Sequence, residues 1–129
     1  MPIYLMDKAY RMATAGGAGA NRVVVQGPIA GECVLPPGAN AGAILGVSMH
    51  SQTQQGRSIT VRKAGIVEVV AAGAIVAGAP VNVHGVTGKV KAVSESAGTK
   101  VNCLGFAETA AAADGDIIEV FVSIHERIA

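Results

Sequence analysis

The feature that most constrains the fold is an internal repeat, in which two stretches of the chain resemble each other at a spacing of 59 residues. The matching positions are Leu45-Gly46-Val47, Gly56 and Ile59-Thr60-Val61 in the first copy, and Leu104-Gly105-Phe106, Gly115 and Ile118-Glu119-Val120 in the second. A second anchor matches residues 23–27 with residues 81–85 at a spacing of 58, and residues 62–81 join the two copies. Two copies are fewer than a solenoid needs. The repeat therefore predicts a single barrel or sandwich built from two related halves.

Apolar and polar residues alternate with a period of two from Arg22 onwards, most clearly over residues 23–26, 58–62, 81–84 and 118–125. This period is typical of half-buried antiparallel strands, with one face in a core and one in water. Turn residues separate these stretches, as in small barrels and sandwiches. Two matched connections, residues 51–55 and 108–113, are predicted to contain one helical turn each. The predicted fold is a small all-β antiparallel barrel or sandwich with two pseudo-repeated halves.

The composition excludes several classes of partner. Half of the residues are hydrophobic, only 3% are aromatic, and the net charge is +1. The chain therefore has neither a basic field for phosphates nor a set of rings for base stacking, and nucleic acid is not expected as a partner. Mean hydropathy is positive, at +0.45. However, the longest charge-free apolar stretch, residues 69–81, is shorter than the roughly 20 residues of a spanning helix, so no membrane association is expected.

The N-terminus does not resemble a secretory signal, because Asp7, Lys8 and Arg11 leave no uncharged apolar segment. The chain is therefore expected to be made and kept in a cytoplasm. In that compartment Cys33 and Cys103 are expected to be reduced, semi-buried hydrophobic side chains rather than a disulfide. Their wide separation matches no metal or redox motif.

Residues 1–14 differ in composition from the rest of the chain, since they contain both tyrosines, three of the four methionines and a cluster of charges. The Ala- and Gly-rich residues 15–20 that follow are typical of a flexible linker. We therefore expect residues 1–20 to form an extended N-terminal arm and linker, and residues 21–129 to form the domain. The alternative is that the N-terminal segment supplies an ordinary first strand of the domain.

No group of residues has the spacing of an active site. None of His50, His84 and His125 stands three or four residues from another histidine, a cysteine or a carboxylate pair, so no metal site is predicted. Asp114 and Asp116 flank a glycine and indicate a turn. Neither catalysis nor a cofactor is expected. A chain of short strands with low charge and an apolar N-terminal segment is instead typical of a protein that works by forming an interface.

The order and spacing of several motifs resemble the small cement, or decoration, proteins of tailed-phage capsids. The first half of the pattern is Leu45-Gly46-Val47, residues 56–61 and residues 65–69, and the second half is residues 74–83, residues 88–90 and residues 104–120. The most specific element is the ending, in which a Leu-Gly pair, an alanine run, Asp114-Gly115-Asp116 and a valine strand follow one another. The resemblance covers residues 15–123.

This resemblance implies a compact β-barrel-like domain, often a homotrimer, that lies on the outer capsid surface of the virion and bridges major capsid protein subunits of the expanded head. A further hypothesis is that the arm contacts the capsid or an adjacent copy through Pro2, Ile3, Tyr4, Leu5, Met6 and Tyr10. Deletion of residues 2–14 is expected to leave a folded body that no longer binds heads.

Two other functions remain open. A small-ligand- or carbohydrate-binding β module, like the clip-like domains attached to some enzymes and assembly factors, would need a concave site with a few convergent polar groups. An enzyme with a site assembled across subunits is a third alternative, although its candidate acids, bases and nucleophiles show no pairing. Copy number separates the first two, since a cement protein is present in hundreds of copies per particle.

Overall fold

The computed structural model describes residues 6–129, and these residues form nine β-strands and no helix. The strands are β1 (Met6–Met12), β2 (Val23–Gln26), β3 (Glu32–Val34), β4 (Ile44–Ser48), β5 (Ser58–Val70), β6 (Pro80–Val83), β7 (Val90–Ala92), β8 (Lys100–Ala107) and β9 (Ile117–Ile128). The predicted all-β class with barrel architecture is confirmed.

The first five strands form a closed barrel. They follow one another in the order β1, β3, β2, β4 and β5, and β5 also pairs with β1, which closes the ring. Every pairing is antiparallel except β1 with β3, which is parallel with Met12 opposite Cys33. Closure leaves no free sheet edge where the strands pair all the way round. We call this ring the first barrel.

A second ring begins where β5 leaves β1. The last residue of β5 opposite β1 is Ala64, and the next, Gly65, lies opposite Val122 of β9. Gly65 has a φ of +96°, which favours glycine at this change of partner. From β5 the order continues through β9, β8, β6 and β7, and an isolated parallel bridge between Ala71 and Val90 returns β7 to the end of β5. We call this ring the second barrel.

The register shows that the repeat extends to β1. Lys8 lies opposite Val61 in the first barrel, and Val67 lies opposite Val120 in the second, each 59 positions further on. The parallel pair Met12 with Cys33 likewise has its counterpart in Ala71 with Val90. The second half of β5 is therefore the counterpart of β1, and each barrel is one copy of the repeat.

The spacing of 58 predicted for the second anchor is wrong by one residue. Val24 lies opposite Gly46, and the counterpart pair is Val81 with Gly105, so β2 and β6 are 57 positions apart. A shift of one residue moves every side chain of a strand to the other face. A spacing of 57, unlike one of 58, therefore matches the inward-facing residues of β2 with the inward-facing residues of β6. The spacing of 59 before this point and the spacing of 57 at β2 differ by two residues, and the loop after β1 accounts for that difference. The bridge residue Ala18 comes six positions after Met12, whereas its counterpart Ile75 comes four positions after Ala71.

The two barrel interiors correspond residue by residue. In the first barrel the buried cluster consists of Tyr10, Met12, Ala18, Val24, Cys33, Ile59 and Val61. Their counterparts in the second barrel are Val69, Ala71, Ile75, Val81, Val90, Ile118 and Val120, all of which are also buried. A second set of side chains on β2 and β4, including Val23, Val25 and Val47, faces away from the first interior and belongs to the cluster of the second barrel. The two barrels therefore pack directly against each other.

The expected helical turns are not observed. Residues 51–55 and 108–113 contain no helix; each contributes one bridge residue, Gln52 paired with Ala18 and Ala111 paired with Ile75. In the second connection the Asp116 carboxylate accepts hydrogen bonds from the Ala112 and Ala113 N–H groups at 2.8 and 3.0 Å. These local bonds satisfy the backbone without a helix, and six residues are too few to sustain one unaided.

Candidate interaction surfaces

The N-terminal segment divides into two parts. Pro2, Ile3, Tyr4 and Leu5 lie outside the described residues, whereas Met6–Met12 is the first strand of the first barrel. The alternative of an ordinary first strand is thus what the structure has from Met6 onwards. The division of the chain between residues 20 and 21 stays a prediction. Gly17 illustrates why residues 15–20 are not a free linker here, because a Cβ atom on it would lie 1.7 Å from the carbonyl oxygen of Gln52.

Met6 and Tyr10, the two predicted contact residues that the structure describes, lie in different environments. The Met6 side chain is exposed, and it stays a predicted contact residue. Tyr10 is buried in the first barrel, and its hydroxyl accepts a hydrogen bond of 2.6 Å from Lys63 Nζ. Tyr10 therefore belongs to the interior of the first barrel, and its predicted contact with a partner stays a prediction.

The described residues do not bring candidate catalytic groups together. Within residues 6–129, no cluster of three or more His, Cys, Asp and Glu side chains could hold a metal ion, and no helix of that part of the chain could cross a membrane. Cys33 and Cys103 are free and buried, and burial raises the pKa of the Cys33 thiol to about 11. A thiol with that pKa is a poor nucleophile at neutral pH. His125 donates from Nδ1 to the Ser123 carbonyl oxygen at 2.7 Å and stacks on Phe106, which is a packing role.

An apolar row crosses the outer face of the second barrel. Ile66 of β5 lies opposite Phe121 of β9, which in turn lies opposite Phe106 of β8. Ile66 and Phe121 are 37% and 45% exposed. Phe106 is half-buried, because the His125 ring stacks on its ring and the Arg127 guanidinium lies over it. We call these three residues the apolar row. Large apolar side chains that adjoin one another on a surface mark contact sites more often than scattered ones do.

A pair of carboxylates lies beside the apolar row. Glu68 and Glu119 are directly opposite each other on β5 and β9, and both are exposed. Glu108 is next to them, because its N–H donates to the Glu119 carbonyl oxygen at 2.8 Å. Within the described residues, none of the three carboxylates forms a salt bridge. The apolar row and these three glutamates form one continuous surface, which we call the acidic strip.

The charges of the chain are divided between the barrels. Residues 1–64 contain six lysines and arginines and two acidic residues, a net charge of +4, whereas residues 65–129 contain four and seven, a net charge of −3. The overall charge of +1 conceals this division. Lys8, Arg11 and Arg57 are exposed on the first barrel. Arg11 lies opposite Ser58, the neighbour of Arg57, whereas Lys8 is on the other face of β1, where its Nζ lies 5.2 Å from the centre of the Tyr10 ring. We call these three residues the basic edge.

Comparison with known proteins then decides the family. A model of the family described as "Phage cement protein" matches residues 7–124. The chain belongs to the phage cement protein family. Its resemblance to capsid decoration proteins is therefore confirmed, and the cement protein is a structural protein of a phage capsid. The match begins at residue 7, within β1, so the family pattern includes the strand that the sequence assigned to an arm.

A solved structure also shares the fold of the cement protein. It is the head fiber gp8.5 N base of bacteriophage phi29, which matches with a TM-score of 0.63 and 14% sequence identity over 93% of this chain and 95% of that chain. At this identity the match shows a common fold alone. No curated protein matches the sequence of the cement protein.

Sequence reasoning missed both charged surfaces of the cement protein. The apolar row depends on which residues of β5, β8 and β9 lie opposite each other, and the register of β8 with β9 shifts between Cys103 and Gly105 at an irregularity that the sequence does not reveal. The division of charge was readable, because the repeat already defines the two halves to be counted. When the net charge is summed over the whole chain, the positive first half and the negative second half cancel, and the division between them is no longer visible.

Proposed function

We propose that the cement protein binds the outer surface of an expanded phage capsid as a homotrimer and bridges neighbouring major capsid subunits. The observation that carries this proposal is the family match over residues 7–124. The absence of an assembled catalytic or metal site in the described residues is consistent with a protein that works by contact. The proposed site of synthesis is the host cytoplasm, and the proposed location is the outer face of the virion.

The mechanism is binding linkage. A protein that binds the expanded shell and not its precursor stabilises the expanded shell, by about 2.7 kcal/mol per site when its concentration is a hundred times its dissociation constant. Many copies on a symmetric shell multiply this effect. A trimer at a three-fold position is a closed arrangement that repeats the same contact three times.

The decisive experiment compares expanded and unexpanded capsids assembled from the major capsid protein of the phage that encodes this chain. Purified cement protein is added to each, and its copy number per particle is measured after gradient purification, together with the temperature at which the shells break. We expect saturable binding to expanded shells only, and a higher breaking temperature. Equal binding to both forms, or no binding, contradicts the proposal.

The N-terminal contact has its own test, which the structure makes sharper. Deletion of residues 2–14 would remove Tyr10 and Met12 from the first interior, so the deletion must stop before β1. A variant that lacks residues 2–5 keeps the barrels, and we expect it to retain its thermal unfolding temperature but to bind expanded shells more weakly. The substitution Met6→Ser tests the exposed first residue of β1 in the same assay. Unchanged affinity in both variants would show that this segment makes no contact.

A further inference from the structure

The acidic strip has no explanation within its own barrel, and the first barrel shows this directly. The positions of Ile66 and Phe121 are held in the first barrel by Asp7 and Arg62, which are 59 residues earlier. There the two side chains form a bidentate ion pair, with Arg62 Nε 2.8 Å from Asp7 Oδ1 and Nη2 3.1 Å from Oδ2. The same fold therefore accepts a polar pair at this register. Exposed Ile66 and Phe121 serve something other than closure of the barrel.

The glutamates of the strip lead to the same conclusion. Like charges directly opposite each other on neighbouring strands destabilise a sheet. The counterparts of Glu68 and Glu119 in the first barrel are Ala9 and Thr60, a pair without charge. The second barrel thus carries an unfavourable pair that the fold does not require. A cationic partner over the strip would offset this repulsion.

The apolar row also has a counterpart that is already covered. The position of Phe106 is held in the first barrel by Val47, which is fully buried in the cluster that joins the two barrels. One barrel thus already covers this part of the other's outer face within the chain. The equivalent face of the second barrel is left partly exposed. A further barrel is therefore an occupant of suitable shape for it.

The chain itself supplies a surface of matching chemistry. The basic edge contains Arg11 and Arg57, which are close to each other across the β1–β5 pair, and Lys8, which lies over the Tyr10 ring, all on the barrel whose net charge is +4. All three cations are exposed, and none of them forms a salt bridge within the described residues. Met6, on the same strand as Lys8 and Arg11, adds an exposed apolar side chain. Complementary charge of this kind guides association and fixes its orientation.

We propose that the acidic strip of one copy binds the basic edge of a second copy of this chain. The two surfaces differ, so the contact is heterologous, and such contacts close into a ring when the rotation between copies allows it. The inference rests on the self-association proposed above, and it names the two surfaces that meet. Phe121 and Phe106 lie at the centre of the contact, where aromatic side chains contribute most to affinity.

The first test transfers the residues of one barrel to the other. The variant Ile66→Asp/Phe121→Arg places the Asp7–Arg62 pair at its counterpart positions, where this fold already holds such a pair. The control Val76→Asp/Val86→Arg makes the same chemical changes at two exposed loop residues outside the strip. Sedimentation velocity over a range of concentrations measures self-association, and circular dichroism checks the fold. We expect the strip variant to associate at least about tenfold more weakly than the control and the wild type.

A second test identifies the partner surface. Glu68→Lys/Glu119→Lys makes the strip basic, and Lys8→Glu/Arg11→Glu/Arg57→Glu makes the edge acidic. In each of these two variants the contact brings like charges together, so each variant alone is expected to be dissociated. A variant that combines all five substitutions exchanges the charges of both surfaces, restores every contact in a ring of any size, and is expected to associate. A five-fold variant that stays dissociated, or a Glu68→Lys/Glu119→Lys variant that associates like the wild type, overturns the proposal. Association of the edge variant on its own also overturns it, because a strip-to-strip contact would not use the basic edge.

Capsid binding, measured on the same proteins, separates this inference from the proposed function. Suppose that the Ile66→Asp/Phe121→Arg variant associates normally but no longer binds expanded shells. The strip then contacts the shell, so the inference fails and the proposed function stands. If the Ile66→Asp/Phe121→Arg variant is dissociated as expected but the wild type does not bind expanded shells, the inference stands and the proposed function fails.

Discussion

The two barrels of this molecule share one pattern of strand pairing, which we call the shared frame, but they carry different side chains on it. Strand pairing corresponds throughout, down to the parallel pair of Met12 with Cys33 and of Ala71 with Val90. The side chains on that frame differ inside, where Met12 corresponds to Ala71, and outside, where the Asp7–Arg62 pair corresponds to Ile66 and Phe121. Backbone pairing therefore defines the fold, and the outer face is where the copies have diverged. This difference points to the surface that serves a partner.

The largest effect is expected where the shared frame itself is changed. Gly46 and Gly105 occupy the same place in the two barrels, and each lies against the backbone of the neighbouring strand. A Cβ atom on Gly46 would lie 2.1 Å from the Arg62 carbonyl oxygen, and one on Gly105 would lie 1.9 Å from that of Phe121. The carbonyl oxygen of a paired strand cannot move out of the way as a flexible side chain could. We therefore expect Gly46→Ala and Gly105→Ala each to lower the free energy of unfolding by about 3 kcal/mol or more.

Chemical denaturation measures both variants against a matched control. Gly73 has open space around its Cβ position, so Gly73→Ala is expected to change the unfolding free energy by no more than about 0.5 kcal/mol. If either close-contact variant is as stable as this control, the strands can separate locally at that point. The frame of that barrel would then be less constrained than that of its counterpart.

The interiors offer the next largest effect, because each barrel can be given the other's residue. Met12 and Ala71 are counterparts, and both are fully buried. Met12→Ala leaves a cavity and is expected to cost about 2–5 kcal/mol, although the second barrel holds alanine there. Ala71→Met overpacks the second interior and is expected to cost about 1–3 kcal/mol.

Thermal and denaturant unfolding of the two exchange variants test whether the interiors are interchangeable. Val24 and Val81 are counterparts of the same residue type, so Val24→Ala and Val81→Ala serve as controls with expected costs similar to each other. Exchange variants as stable as the wild type would show that each interior repacks freely. In that case the frame alone, and not the side-chain set, would determine barrel stability.

The sequence was sufficient for the class of fold and for part of the repeat. Glycines at residues 46 and 105, and alternating strands after them, were visible because the frame requires them in both copies. The correspondence of β1 with the second half of β5 was not visible, because Tyr10 and Met12 share no residue type with Val69 and Ala71. An interior accepts many combinations of apolar volume, so this part of the repeat diverged. β1 was consequently assigned to an arm.

The proposed interaction surface could be predicted only in part. Glu68 is the one carboxylate in the apolar residues 65–70, and this pattern by itself predicts a solvated or edge position for it. The structure places it in a strand paired with β9, directly opposite Glu119, which sequence periodicity does not show. Periodicity assigns a side chain to a face, whereas the neighbours on that face depend on register. Contacts between distant strands require the structure.

A polar network in the second barrel gives a smaller effect. Asn82 is fully buried, and its Nδ2 donates to Glu95 at 3.0 Å, while Lys91 Nζ lies 2.9 Å from the same carboxylate. The first barrel has Val25 and Val34 at the places of Asn82 and Lys91. Glu95→Ala removes the carboxylate that both groups share, leaving Lys91 Nζ with Ser94 Oγ at 3.0 Å and Asn82 Nδ2 with Asn40 Oδ1 at 3.5 Å. It is expected to cost about 1–3 kcal/mol at neutral pH.

The first barrel suggests the control for this network. Removing all three groups together, as Asn82→Val/Lys91→Val/Glu95→Ala, reproduces the apolar arrangement of the first barrel and is expected to cost less than the single change. Burial alone would raise the pKa of Glu95, but hydrogen bonds from Lys91, the Ser94 N–H and Asn82 outweigh it and lower that pKa. A triple variant less stable than the single variant would show that the polar groups are needed for packing in this barrel.

The smallest effect is expected at the exposed ion pair of the first barrel. The hydrogen bond from Arg62 lowers the pKa of the Asp7 carboxyl below its ordinary value. A lowered folded pKa means that the stabilisation is complete above the unfolded pKa of about 3.9 and is lost as pH falls through the folded pKa. Because the pair is partly exposed, Asp7→Asn is expected to cost only about 0.5–1 kcal/mol at pH 7 and nothing once the carboxyl of the wild type is protonated.

A double-mutant cycle with Arg62→Gln, followed from pH 7 to pH 2, measures the coupling of the two side chains. Coupling that disappears on acidification supports an electrostatic role that the first barrel alone possesses. Arg62 also donates to the Ile66 carbonyl oxygen at 3.1 Å, where β5 enters the second barrel. Coupling that persists at low pH would instead mean that Asp7 acts by holding Arg62 against this carbonyl. The ion pair would then belong to the junction of the two barrels rather than to the surface of one.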